Sequence, residues 1–180
     1  NNLIMKKNTF LTVCLSLFLV CGLFSQTAKT VWVSATGAGL ANGEDQGNAY
    51  NSLTTALADI TTAGDILRVV GTMPGGSQNL AKAFAYTIEG DAGGSTLTGV
   101  DKATRMFTIN IPSAGQNVTF RNITFTGSTN STGTGGGVLF SNTDATVTFE
   151  NCVFNGNSIA TVEGGGAIYI NNTLANLVVT

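Results

Sequence analysis

The chain contains no histidine. That removes the side chain that most often serves as general base, pH switch or metal ligand near neutrality. Charge is scarce as well. Eight Lys and Arg and ten Asp and Glu make up 10% of the 180 residues, with a net charge of −2. About a quarter is usual for a globular domain. There is no basic run or stripe, which excludes a nucleic-acid partner held through its phosphates. Only two prolines occur, Pro74 and Pro112, so no polyproline linker exists. No phosphate loop or zinc spacing is present. Of the three cysteines, Cys14 and Cys21 lie in an N-terminal apolar stretch, which leaves Cys152 alone. One cysteine cannot close an internal disulfide, and its apolar context reads as a small buried hydrophobe rather than a reactive thiol.

The apolar stretch, residues 10–24, is 15 residues long. A membrane-spanning helix needs about 20, so no span is expected. A basic start, Met5-Lys-Lys-Asn-Thr, precedes it, and polar Ser25-Gln-Thr-Ala-Lys29 follows. This order marks a secretory signal peptide. Residues 1–25 are therefore assigned to an N-terminal extension and signal peptide, with cleavage near Ser25 or Gln26. Cys21 is not read as a lipid-anchor cysteine, because Val20 stands where a small residue is needed. Without Lys6 and Lys7 the remaining chain carries six basic residues against ten acidic.

What the chain does have is glycine, 23 residues of it, and a repeat. Val118-Thr-Phe-Arg-Asn-Ile-Thr-Phe-Thr-Gly127 recurs 29 residues later as Val147-Thr-Phe-Glu-Asn-Cys-Val-Phe-Asn-Gly156. The triplet Gly135-Gly136-Gly137 recurs as Gly164-Gly165-Gly166, and Leu177-Val-Val-Thr180 starts a third copy. A fixed period of this size means stacked repeats. Within the period, apolar and polar residues alternate at Val118, Phe120 and again at Ile123, Phe125, which is the strand period. The expectation is an all-β coil whose turns pair in register. Phe120 then lies over Phe149, Phe125 over Phe154, Ile123 over Cys152 and Leu139 over Ile168. Asn122 and Asn151 fall where the alternation breaks and the chain turns. They are placed inward, with their amides able to bond to each other. The glycine triplets suit corners where no side chain fits. Outward, Arg121 and Glu150 become neighbours, a surface pair contributing only about 0–1 kcal/mol.

Residues 26–64 read as an N-terminal cap. Val31-Trp-Val33 is a strand and residues 36–47 are a loop. Ser52 or Asn51 caps a helix that presents Leu53, Ala56, Leu57 and Ile60 on one face. Such a helix covers the otherwise open first turn. Residues 65–180 are assigned to the coil, with a strand at 65–71. Further strands are expected at 85–90, 95–100 and 106–110, separated by loops at 73–77 and 112–115. About three turns are counted. The chain reads as a fragment of a longer protein, truncated at its C-terminus.

Three segments carry a resemblance. In order they are Val31-Trp-Val-Ser-Ala-Thr-Gly, Ala49-Tyr-Asn-Ser-Leu-Thr-Thr-Ala-Leu and Ala63-Gly-Asp-Ile-Leu-Arg-Val-Val-Gly71. Together they resemble the opening of secreted right-handed parallel β-helix proteins, the pectate-lyase-like superfamily among them. The repeats are similar to the polymorphic outer-membrane-protein repeats of bacterial adhesins. Those carry Gly-Gly-Ala-Ile and Phe-x-x-Asn signatures, matched here by Gly165-Gly-Ala-Ile168 and Phe154-Asn-Gly-Asn157. Gly136-Gly-Val-Leu139 is close to the first signature, and Phe125-Thr-Gly-Ser128 lacks the asparagine of the second. The resemblance implies a right-handed parallel β-helix, or solenoid, with an N-terminal capping helix. It brings no catalytic residue with it.

The functional expectation is a secreted or bacterial cell-surface, adhesin-like protein that presents a rigid repeat surface to glycans or surface proteins. Thr119, Arg121, Thr148 and Glu150 face outward, and loops at 128–134 and 157–163 project. No catalytic, cofactor-binding or metal-binding residue is assigned, and no cofactor is expected. The alternative is a polysaccharide lyase or glycoside hydrolase whose catalytic residues lie outside this stretch. Such chemistry needs paired carboxylates or carboxylates that hold calcium. Asp144, Glu150 and Glu163 in the regular turns stack no pair, while Asp65, Glu89, Asp91 and Asp101 read as scattered solvated or turn residues. Asn-x-Ser/Thr triplets at Asn117, Asn122, Asn130 and Asn171 are read as strand and turn composition. Self-association is expected through an open edge at Leu177-Val-Val179.

Overall fold

The computed structural model describes residues 26–100, 105–109, 117–130, 137–141, 146–160, 165–171 and 176–180. The signal-peptide assignment of residues 1–25 lies outside them. Strand β1 (Thr30–Ser34) comes first. A glycine-rich loop with one 3-10 turn, Gln46–Asn48, leads to helix α1 (Leu53–Asp59). Three strands follow, β2 (Ile66–Val70), β3 (Thr72–Pro74) and β4 (Gln78–Leu80). The next three are β5 (Tyr86–Gly90), β6 (Ser95–Thr98) and β7 (Phe107–Ile109). A third group holds β8 (Asn117–Arg121), β9 (Ile123–Thr126), the short β10 (Thr129–Asn130) and β11 (Leu139–Ser141). A fourth repeats it with β12 (Thr146–Glu150), β13 (Val153–Asn155), β14 (Ser158–Ile159) and β15 (Ile168–Ile170). Strand β16 (Asn176–Val179) is the last described.

Each group gives one strand to each of three parallel sheets. Sheet A runs β1-β2-β5-β8-β12-β16, sheet B runs β3-β6-β9-β13, and sheet C runs β4-β7-β11-β15. Strands β10 and β14 pair separately. Among the described residues the fold is thus all-β and parallel, with one short α-helix. The chain passes through the three sheets four times before β16, one pass more than the count of about three. The extra pass holds β3, where the sequence reading placed a loop at 73–77. Gly75, Gly76 and Pro74 disguise it, because proline and glycine usually punctuate strands.

The register agrees with the repeat. Phe120 pairs with Phe149, Val118 with Val147, Phe125 with Phe154 and Leu139 with Ile168. The Phe120 and Phe149 rings stack at 5.0 Å and 9°, and those of Phe125 and Phe154 at 5.1 Å and 16°. Phe107 joins them 5.1 Å from Phe120. Val31, Leu67 and Ile88 continue the Phe120 column downward, all buried.

Each corner between sheets A and B is turned by one left-handed residue. Asn122 has φ of 55° and Asn151 of 51°, and Gly71 takes the same role at 68° in the first pass. Asparagine tolerates this region better than most residues. The inward placement of these asparagines is corrected, however. Asn122 is half-buried and Asn151 exposed. Both border a shallow outer groove of about 300 Å³ with Gly93, Gly94 and Thr124. Among the described residues no hydrogen bond joins the two amides. A positive φ swings the side chain off the inward line that the strand alternation projects. Of the glycine triplets, Gly137 suits a tight corner: a Cβ there would lie 2.8 Å from the carbonyl oxygens of Ser128 and Ser158.

Helix α1 is capped by Ser52, whose side chain accepts from the Thr55 backbone N–H at 3.3 Å. Its Leu53, Ala56 and Leu57 are buried, with Ile60 just beyond, and all four join the core. The helix packs on β1, and the Thr54 hydroxyl donates to the Gln78 carboxamide of β4 at 3.0 Å. It therefore covers the end of the stack where β1 and β4 are the terminal strands of their sheets.

Candidate binding surface

Strand alternation puts every second residue of sheet A outside. Two columns result from the register. One runs Thr30, Ile66, Thr87, Thr119, Thr148, Val178. The other runs Trp32, Arg68, Glu89, Arg121, Glu150. The outward residues named from the sequence, Thr119, Arg121, Thr148 and Glu150, thus occupy two adjacent columns.

The second column is a ladder of alternating charge. The Arg121 Nε donates to Glu150 at 2.5 Å, and its Nη1 lies 3.4 Å from Glu89. Glu89 also pairs with Arg68, whose guanidinium sits over the Trp32 ring at 5.4 Å. This corrects two readings. Glu89 is not a scattered solvated acid, since its side chain is only 8% exposed between two arginines. Arg121 and Glu150 are not an isolated surface pair either. Chain alternation would give a column of like charges as readily as one of opposite charges. The observed order makes each carboxylate a bridge, and hydrogen bonding to Glu150 raises the Arg121 pKa.

The other acids are placed as follows. Asp65, also read as solvated, is fully buried. Its carboxylate accepts backbone N–H bonds from Lys29 at 2.9 Å and from Thr61 and Thr62 at 2.8 Å each. Burial alone would raise its pKa, but the three donors outweigh it and hold the carboxyl below its ordinary value. Asp91 closes a turn through the Gly93 N–H at 3.1 Å. Asp101, Asp144 and Glu163 lie outside the described residues. No cluster of three metal-ligating side chains occurs among the described residues, and no described helix is long and apolar enough to cross a membrane.

Residues 129–130 and 158–159, expected in projecting loops, instead form the paired strands β10 and β14, and residues 131–134 and 161–163 of those expected loops lie outside the described residues. The Asn157 carboxamide accepts from the Ser128 N–H at 3.0 Å and donates to the Phe125 carbonyl at 2.8 Å. One side chain thus satisfies two backbone groups of the pass below. Ser128 is its counterpart 29 residues earlier. It is fully buried, and its shorter hydroxyl reaches only the Gly137 carbonyl. Replacing Asn157 with alanine leaves both groups unmet and is expected to cost about 1–3 kcal/mol. Chemical denaturation of Asn157→Ala beside Asn155→Ala, an exposed strand position, checks this. Equal losses would remove the special role of Asn157.

Cys152 is half-buried against the core, and burial pushes its thiol up. Its Sγ lies 3.4 Å from the Glu150 carbonyl and 3.5 Å from that of Phe120. A cleft of about 550 Å³ lies between β1 and the glycine-rich loop. There Asp59 takes Lys29 at 2.6 Å and the Tyr50 hydroxyl at 3.4 Å. Burial, then the Asp59 charge, raises the Tyr50 pKa. No spacing in the sequence signals this meeting of residues 30 apart. The chain matches no protein-family model, no curated protein and no solved structure.

Proposed function

We propose that the chain is part of a secreted or bacterial cell-surface protein, adhesin-like, whose parallel sheets wind as a right-handed β-helix and present a rigid face to glycans or surface proteins. The observation that carries this reading is the in-register column on sheet A. Threonines at 87, 119 and 148 line up beside the Arg/Glu ladder on one continuous stack of strands. Such a face is pre-organised, so binding orders few side chains. Right-handed winding follows from the strong preference for right-handed crossovers between parallel strands. Secretion rests on the leader at residues 1–25.

A fluorescently tagged full chain applied to a glycan array is expected to bind uncharged or weakly charged glycans. The variant Thr119→Tyr should weaken that binding while leaving the melting temperature unchanged. Binding to no glycan, together with release of reducing or unsaturated ends from a polysaccharide, would overturn the reading in favour of an enzyme.

Self-association belongs to the same proposal. Among the described residues β16 is the outermost strand of sheet A, and Leu177, Val178 and Val179 are 44%, 40% and 65% exposed. An apolar edge without charge or proline invites pairing. Sedimentation of the 180-residue chain is expected to show association that Val178→Lys suppresses and Thr119→Lys does not. A clean monomer would contradict this.

A further inference from the structure

We propose that the outer face of sheet B binds ice, a role separate from the one assigned to sheet A. The face consists of two columns. Thr72, Thr96, Thr124 and Val153 stand in register in one. Pro74, Thr98, Thr126 and Asn155 stand in register in the other. Alternation forces this arrangement, because Met73, Leu97, Phe125 and Phe154 between them turn to the core. Strands β6 and β9 therefore each present Thr-x-Thr outward.

The spacing follows from strand geometry. Neighbours within a column lie about 4.8 Å apart, and the two columns about 6.6 Å apart. The first distance is close to the shorter oxygen repeat of the hexagonal ice lattice, and the second falls somewhat short of the longer one. The chemistry suits the same partner. A threonine hydroxyl both donates and accepts, while its methyl confines the water between neighbouring side chains. Its branched side chain is stiff at χ1, so the array is ordered before it meets a surface. The Thr98 hydroxyl reaches the Met73 carbonyl at 3.5 Å, whereas those of Thr96, Thr124 and Thr126 engage no other described group. They are free to anchor a layer of ordered water, which bridges nearly as well as a direct bond.

Charge and aromaticity separate this partner from others. None of the eight positions is charged or aromatic. A charged group orients water radially and disrupts a flat lattice, and sheet A carries Arg68, Glu89 and Arg121. Small-molecule sites combine aromatic or apolar walls with concavity. The sheet B face has neither aromatic ring nor charge with which to hold a sugar or an acidic partner.

The test is incorporation of the purified full chain into a slowly growing ice shell, with inhibition of ice recrystallisation as a second readout. Wild type is expected to enrich in ice and to keep crystals small. Thr126→Tyr breaks the flat array and should reduce enrichment by at least about tenfold, as a loss of 1.4 kcal/mol would. Asn79→Tyr, at an exposed position of β4 on neither face, should retain full ice activity. Tyrosine suits a strand. If Thr126→Tyr melts early, Thr98→Lys on the same face serves in its place. Three results would each overturn the proposal. One is wild-type exclusion from ice like any inert solute, and another is full activity of both sheet B variants. The third is retention on crystalline cellulose or chitin that Thr126→Tyr abolishes, without ice incorporation.

Discussion

Replacing Phe120 with alanine is expected to destabilise the protein by about 3–5 kcal/mol, as truncating a buried aromatic does. Phe120 is fully buried and touches three rings: Phe149 at 5.0 Å, Phe107 at 5.1 Å, and Phe125 at 5.6 Å in an edge arrangement; Phe125 and Phe149 in turn both pack on Phe154. It sits mid-column between Ile88 and Phe149. The neighbouring strands are pinned by their own ladders, so the cavity cannot collapse and its surface stays exposed. A loss of that size is a large share of a typical 5–15 kcal/mol stability. Urea denaturation of Phe120→Ala measures it directly. Phe154→Ala is the comparison, since Phe154 is only partly buried and should cost less. Equal losses would show that the column does not pack as described.

The second large effect belongs to Asp65. Asp65→Asn is expected to cost about 2–4 kcal/mol at neutral pH, because one buried charge accepting three backbone N–H groups is replaced by a neutral amide. One of those donors then faces an NH₂ group. The pH dependence carries its own sign. The carboxyl is held below its ordinary value in the folded state. Its contribution is therefore full above the unfolded pKa of about 3.9 and is lost as pH falls through the lower folded value. The stability gap between wild type and Asp65→Asn should narrow in acid. A gap that stays constant from neutral pH into acid would mean that Asp65 acts by shape and not by charge.

The contrast between these two residues shows what was readable in advance. Phe120 was legible because the repeat superimposes it on Phe149 and the alternation turns both inward. Asp65 was not. Its donors come from Lys29, Thr61 and Thr62, and only the path of the chain around α1 brings them together. Glu89 was hidden for a related reason. It meets Arg121 across 32 residues, whereas Arg121 meets Glu150 across 29. The second pass is longer at its corner, where residues 91–94 separate β5 from β6. A fixed period cannot register a pass of different length. Sheet B was half legible: β9 and β13 lie inside the repeat, but β3 begins at Thr72 and ends on Pro74. The threonine columns appear only when all four strands are set side by side.

The central claim is that successive passes stack in register along sheet A. Cysteine cross-linking tests it most directly, in a Cys152→Ser background that removes the free thiol. Thr119 and Thr148 are register partners. At the usual strand spacing of about 4.8 Å their Cα atoms are within disulfide reach. Thr119 and Thr146 sit on the same face two residues out of register, at about 8 Å and beyond that reach. Mild oxidation should close a disulfide within one chain in the Thr119→Cys, Thr148→Cys double variant and leave Thr119→Cys, Thr146→Cys reduced. Equal closure of both pairs, or closure of the second alone, would contradict the stacked register and every surface column built on it.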